Sequence, residues 1–196
     1  VQQDDVQRDV SQRADRPAAT RPIVWLLNPD AWLAAGTGAQ FRQFCAADRS
    51  QPWPILGTIV REPDGLIAFA GGGWDRRSGR IYPQTQLAQP VTDQPVIDRP
   101  VTDRPDQPMD LIPTAWVTGC SLILNLPEWQ EQPYFDRDFF LYYEDFDFCR
   151  RWSQAGYAVA IAPGLTVYHA TSSITSRQPD RQQAWTIACY LLSLQN

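Results

Sequence analysis

The chain has 196 residues, is 43% hydrophobic and carries eight tryptophans, enough for one domain with a packed core. Its formal charge is −5 and all its cations are arginine; a phosphate footprint needs clustered Lys and Arg, so nucleic acid is excluded as the main partner. Cys45, Cys120, Cys149 and Cys189 are scattered with no C-x-x-C and read as reduced thiols of a cytoplasmic protein.

Residues 1–20 are polar and mixed in charge, with Val1, Val6 and Val10 as their large apolars. Such a stretch buries too little surface to offset its ordering entropy and is expected to be a disordered tail. No charged n-region followed by an apolar h-region opens the given sequence, and no run in it reaches the roughly eighteen apolar residues of a membrane span. It starts with Val, and Met109 is its only methionine, so residue 1 is not expected to be a natural start.

Ile23–Leu27 (IVWLL) is a short apolar run between Pro22 and Asn28-Pro29. It predicts a buried strand of a mostly parallel sheet. Pro29 pushes Asn28 into extended backbone, where residues two apart point the same way. Asn28 and Asp30 can then converge just past a strand end, where open α/β sheets bind ligands; the plainer reading is a turn that caps the next helix. Residues 31–47 predict that helix, with Trp32, Leu33, Phe41, Phe44 and Cys45 on one side. Residues 55–60 and 66–69 predict two strands joined by the turn Glu62-Pro63-Asp64-Gly65. Gly71-Gly72-Gly73 lacks the spacing of a phosphate loop and predicts a flexible connection.

Residues 91–105 repeat a pentapeptide, VTDQP, VIDRP, VTDRP. A proline every five residues breaks helices and removes ladder donors, which predicts an extended, disordered insertion over about residues 86–108. Trp116-Val117-Thr118-Gly119-Cys120 then leads into an apolar run at 121–124, an ordinary core strand or the wall of a pocket. Gly119 allows close approach of a ligand or another backbone.

The densest stretch follows, FDRDFFLYYEDFDFCRRWSQAGYAVAIAPGLTVYH, from Phe135 to His169. Carboxylates set among aromatics are costly to bury unless something uses or satisfies them. Glu144, Asp145 and Asp147 open a helix running to about residue 155, Arg150 and Arg151 come later, and Gly156 sits just past its end. The macrodipole alone is one explanation of these acids. Two short strands at 159–162 and 166–168, split by Pro163-Gly164, deliver the lone histidine, His169. Residues 181–194 carry apolar side chains at helical spacing, suited to docking on the core or lying against a membrane surface.

The pattern F-D-x-x-F-F-x-Y-x-E-D-x-D-x-C-x-R, then G-Y, P-G and a terminal His, resembles the C-terminal half of a family 2 glycosyltransferase, nearest to the rhamnosyltransferase-like branch. The likeness covers roughly residues 21–85 and 109–185. It implies an α/β fold of the GT-A (nucleotide-diphospho-sugar transferase) type, a mixed sheet flanked by helices. It also implies metal-dependent, inverting transfer from a nucleotide-diphosphate sugar, dTDP-rhamnose among the candidates, to a cell-surface glycan or glycolipid. By position, Asn28 and Asp30 fall on the family's D-x-D metal motif and His169 on its metal-binding histidine. Together they would hold Mn²⁺ or Mg²⁺. Asn28 departs from the first acid, which weakens that ligand. Asp145 falls on the catalytic base, Glu144 beside it on an acceptor contact, and Trp116 and Gly119 on the donor and acceptor pocket.

The family's first strands, which hold base and ribose, have no counterpart before Ile23. The domain, residues 21–196, is therefore expected to be incomplete and to bind nucleotide weakly. The expected place of work is the cytoplasm, peripheral at the inner face of the membrane. Two other classes stand beside this reading: a non-catalytic remnant that binds sugar or a protein partner, and a two-carboxylate glycoside hydrolase.

Overall fold

A computed structural model describes residues 22–47, 52–75, 77–87, 110–139, 141–170, 186 and 188–191. The tail at 1–20, the pentapeptide repeat and most of the helix at 181–194 lie outside the described residues. The described fold is mixed α/β. Nine strands and two helices follow in order: β1 (Ile23–Leu27), β2 (Ala31–Leu33), α1 (Thr37–Ala46), β3 (Ile55–Arg61), β4 (Ile67–Phe69), β5 (Gly72–Trp74), β6 (Ile81–Pro83), β7 (Ile112–Pro113), β8 (Ser121–Asn125), α2 (Glu144–Gln154) and β9 (Val159–His169). The main sheet runs β1-β8-β3-β9-β2, with β4 joined to β3 and β7 to β9; β5 and β6 form a separate hairpin.

The order of burial along the central strands shows why the sheet forms a middle layer. Ile55, Leu122 and Ile161 join one cluster with Phe146, Phe148, Cys149 and Trp152 of α2. Their neighbours Leu56, Ile123 and Ala160 join another with Phe44 of α1. Successive strand residues face opposite ways, so β3, β8 and the first half of β9 must be apolar on both faces, and the two helices cover one face each.

Four expectations need correction. The strand at Ile23–Leu27 is present, but it is half-buried and its described partner β8 is antiparallel. The parallel pairing lies between β3 and β9; an apolar run reports burial and carries no information on direction. The helix expected from residue 31 begins at Thr37. Ala31, Trp32 and Leu33 instead pair with His169, Tyr168 and Val167, and Gly36, at φ 83°, turns the chain into α1. A stacked Trp32–Tyr168 pair, centroids 5.7 Å apart, is a cross-strand contact that helical periodicity cannot reveal.

The glycine run is no flexible link. Gly72 and Gly73 sit in β5, and a Cβ at Gly72 would lie 2.0 Å from Trp116 Nε1. Glycine is required there because an indole occupies the space. Finally, the two expected strands at 159–162 and 166–168 are one. Thr58 pairs with Ala162 and Ile59 with Thr166, so β9 carries three surplus residues, Pro163 to Leu165, as a bulge.

Candidate active site at one edge of the sheet

Strand directions bring four segments to one edge. β1 and β9 end there, at Leu27 and His169, while β2 and β8 begin there, at Ala31 and Ser121. Asn28 is fixed by its N–H, which donates to the Cys120 carbonyl at 3.0 Å, and the Asn28 carbonyl accepts from Ala31 N–H at 3.0 Å. Residues 28–31 thus form a tight turn between β1 and β2, with Asp30 carried beside the end of β9. His169 Nε2 lies 3.1 Å from Asp30 Oδ1 and 3.5 Å from Asn28 Nδ2. Residues 141 positions apart in sequence meet in one constellation.

Among the described residues no group of three or more His, Cys, Asp or Glu gathers to hold a metal. The trio here offers one carboxylate, one imidazole and one amide. Two ligands about 2.1 Å from one ion and at right angles have donor atoms about 3 Å apart, which is the Asp30–His169 separation. Rotation of the Asn28 amide by half a turn would present its oxygen, since O and N are assigned from the hydrogen-bond pattern. The chemistry of these three donors is compatible with a divalent cation.

The acid pair approaches the same edge from α2. Tyr142 and Tyr143 both have positive φ, 68° and 65°, and this left-handed step swings the chain so that α2 starts against Gly119. Left-handed backbone costs a non-glycine residue roughly 1–2 kcal/mol, and such outliers persist where surrounding structure imposes them. Gly119 N–H donates to Asp145 Oδ2 at 2.8 Å and Phe146 N–H to Asp145 Oδ1 at 2.8 Å. Lost solvation raises the Asp145 pKa, opposed by the Gly119 and Phe146 N–H groups and by the Thr118 hydroxyl. Burial also raises Glu144, with the neighbouring Asp145 charge adding to it. Glu144 Oε2 is buried without a hydrogen-bond partner, as is the Tyr142 hydroxyl. Asp145 is thus a held carboxylate and Glu144 one with an unused oxygen.

Cys120 joins the two groups. Its buried thiol is pushed up to about 12, first by burial and then by the charges of Asp30 and Asp145. Both carboxylates therefore act on one thiol, and with Asn28 N–H on the Cys120 carbonyl and Asp145 on Gly119 N–H the histidine turn and the acid pair both adjoin the Gly119–Cys120 corner. Sequence reading treated Cys120 only as a reduced thiol; its place immediately after Gly119 was the available signal.

Two expected pocket residues are placed differently. Trp116 is buried, with its ring 4.9 Å from Phe69 and its Nε1–H donating to the Gly73 carbonyl at 3.1 Å. It braces the β5–β6 hairpin from within the core. Gly119 does lie at the site, but a Cβ there would meet Asp145 Cβ at 3.7 Å, an ordinary contact. What Gly119 supplies to its neighbours is its N–H.

Comparison with known proteins gives a distant relationship. No family model matches the chain. Over 168 residues it is 25% identical to N-acetylglucosaminyl-diphospho-decaprenol L-rhamnosyltransferase of Mycobacterium tuberculosis, in strain CDC 1551 / Oshkosh and in strain ATCC 25618 / H37Rv. The match takes in 79% of this chain and 50% of each relative, so the chain spans about half the length of the curated relatives it matches. The relationship is to a glycosyltransferase, at low identity.

Proposed function

We propose that this chain serves glycosyl transfer from a nucleotide-diphosphate sugar to a glycan or lipid-linked acceptor, as an inverting, metal-dependent enzyme of the family 2, GT-A type. The observation that supports it is the convergence of Asn28, Asp30 and His169 with Glu144 and Asp145 around one corner, Gly119–Cys120. A divalent cation, Mn²⁺ or Mg²⁺, held by Asn28, Asp30 and His169 would offset the charge that grows on the leaving diphosphate.

The chain's own groups handle the acceptor. Asp145 takes the proton of the attacking hydroxyl, whose oxygen bonds to the anomeric carbon while the diphosphate oxygen leaves with the electron pair. The N–H groups of Gly119 and Phe146 fix the direction in which Asp145 faces, and its raised pKa moves it toward that of an effective base near neutral pH. Glu144, with its unpartnered oxygen, accepts a hydrogen bond from a second acceptor hydroxyl. The relatives' names specify an acceptor that carries a lipid, diphospho-decaprenol, and on that basis the inner face of the membrane is the proposed place of work.

Calorimetric titration of dTDP and UDP, with and without Mn²⁺, tests the reading. Weak binding that requires Mn²⁺ and is lost in Asp30→Asn and His169→Ala is expected; binding indifferent to all three overturns the metal role. A second reading, a sugar-binding remnant without turnover, is favoured by the amide of Asn28 where the family carries an acid. Metal-dependent nucleotide binding with no hydrolysis or transfer of the bound sugar would select it.

A further inference from the structure

A second polar site lies away from the sheet edge, along the other side of α2. A groove of about 250 Å³ is bordered by Trp74 of the β5–β6 hairpin, Thr114 and Ala115 after β7, Val159 of β9, and Phe146, Arg150, Ser153 and Gln154 of α2. Its floor is apolar, from Ala115, Phe146 and Val159, and Ser153 and Gln154 form an exposed rim.

Arg150 sets the chemistry of the groove. Its guanidinium lies over the Trp74 ring, 5.5 Å from the centroid, and its Nε is buried with no hydrogen-bond partner. Asp147, the nearest acid on the helix, is bound to Arg151 at 2.7 Å and feels the Arg150 charge at longer range; among the described residues Arg150 makes no ion pair. Arg150 borders the groove, and a cation there without an ion-pair partner favours an anionic occupant. The planar guanidinium carries paired N–H groups that match the two oxygens of a carboxylate or phosphate. The volume is below the roughly 300–1,000 Å³ of pockets for drug-sized ligands, which limits the occupant to about one ring.

We propose that this groove binds an acidic hexose, its acid group on the Arg150 guanidinium, its ring on the Ala115, Phe146 and Val159 floor, and its hydroxyls toward Ser153 and Gln154. The site needs no metal and does not rest on the transferase reading. Its occupant would be a free sugar acid, a sugar phosphate or the acidic residue of a larger glycan.

Titration calorimetry in EDTA with four probes tests it: glucuronate, glucose 1-phosphate, glucose and inorganic phosphate. Saturable binding of at least one acidic hexose is expected, tighter than glucose and tighter than phosphate by about tenfold or more; the stronger of the two tells whether the carboxylate or the phosphate is preferred. Arg150→Met keeps the stem and removes the fork, and Ala115→Leu fills the floor. Each should weaken binding about tenfold or more, whereas Asp30→Asn should leave it unchanged. Circular dichroism melting identifies a variant that has not folded, and the other then carries the test. No saturable binding of either acidic hexose, equal binding by both folded variants, equal binding of phosphate alone, or loss of binding in Asp30→Asn would each overturn the proposal.

Discussion

The first turn of α2 and its last two turns are built by opposite rules. At the C-terminal end the packing, the buried acid and the helix end each have a local answer, although Trp152 Nε1, like Arg150 Nε, is buried without a hydrogen-bond partner. Trp152 is ringed by Trp129, Tyr134, Phe148 and Tyr157, at centroid distances of 4.8, 5.7, 6.2 and 5.6 Å. Asp147 is buried and bound by Arg151 one turn on, and Gly156 at φ 94° lets Tyr157 N–H close on the Trp152 carbonyl at 3.0 Å. At the N-terminal end, two tyrosines are held left-handed and a glutamate oxygen is left without a partner. One helix therefore anchors itself with its second half and spends that stability on the first, which is the half that faces the candidate site.

Breaking the anchored end should have the largest effect. Trp152→Ala empties the aromatic ring and is expected to cost about 3–5 kcal/mol of stability, read as a large fall in denaturation midpoint; a loss below about 1 kcal/mol would show that the ring is not an anchor. Next, at the other end, Asp145→Asn in a preparation that transfers sugar should lower the rate about a hundredfold or more, with nucleotide binding kept. Near-normal transfer would leave Asp145 as a tether for the N–H groups of Gly119 and Phe146.

Two smaller changes sharpen the contrast, because both should stabilise the fold. Glu144→Gln removes a buried charge without changing shape. The folded pKa of Glu144 is raised, so its ionisation opposes folding as pH rises above the usual carboxylate range. The variant should melt higher than wild type at neutral pH, by roughly 1 kcal/mol or some 2–4 °C, with the difference closing as pH falls toward that range. A lower melting temperature at neutral pH would mean that the Glu144 charge is satisfied in solution. Tyr142→Phe deletes an orphaned hydroxyl and should gain a few tenths of a kcal/mol to about 1 kcal/mol; a loss of similar size would point to a partner for that hydroxyl.

What could be read from the sequence follows the range of the forces involved. β3, β8 and α2 were legible because continuous apolar runs, an acidic first turn and a glycine after the last turn act locally. β2 was not: Trp32 and Leu33 have helical spacing with Phe41 and Phe44, but their partners are Tyr168 and Val167, more than 130 residues away. At the site, Asn28 and Asp30 were named from their spacing and, with His169, from resemblance, and the three side chains do meet. The division between a held Asp145 and an unsatisfied Glu144 depends on Gly119, which no local pattern ties to α2. Arg150 was noted only for its charge near the helix end, since its orphaned Nε depends on a hairpin that the glycine run disguised.

The bulge at Pro163 to Leu165 has a consequence for how such a site can change over generations. If the same residues ran on as regular strand with no bulge, Leu165 would stand opposite Arg61, where Tyr168 pairs now, and His169 would lie about 10 Å beyond its present position at strand rise. The pairing of residues 159–162 with β3 would be untouched. The bulge is thus a buffer between the first half of β9 and the half that ends at His169. Insertions and deletions at 163–165 can be absorbed there, with Ala162 kept opposite Thr58 and Thr166 opposite Ile59, so the length of this segment can drift while the histidine stays where it is.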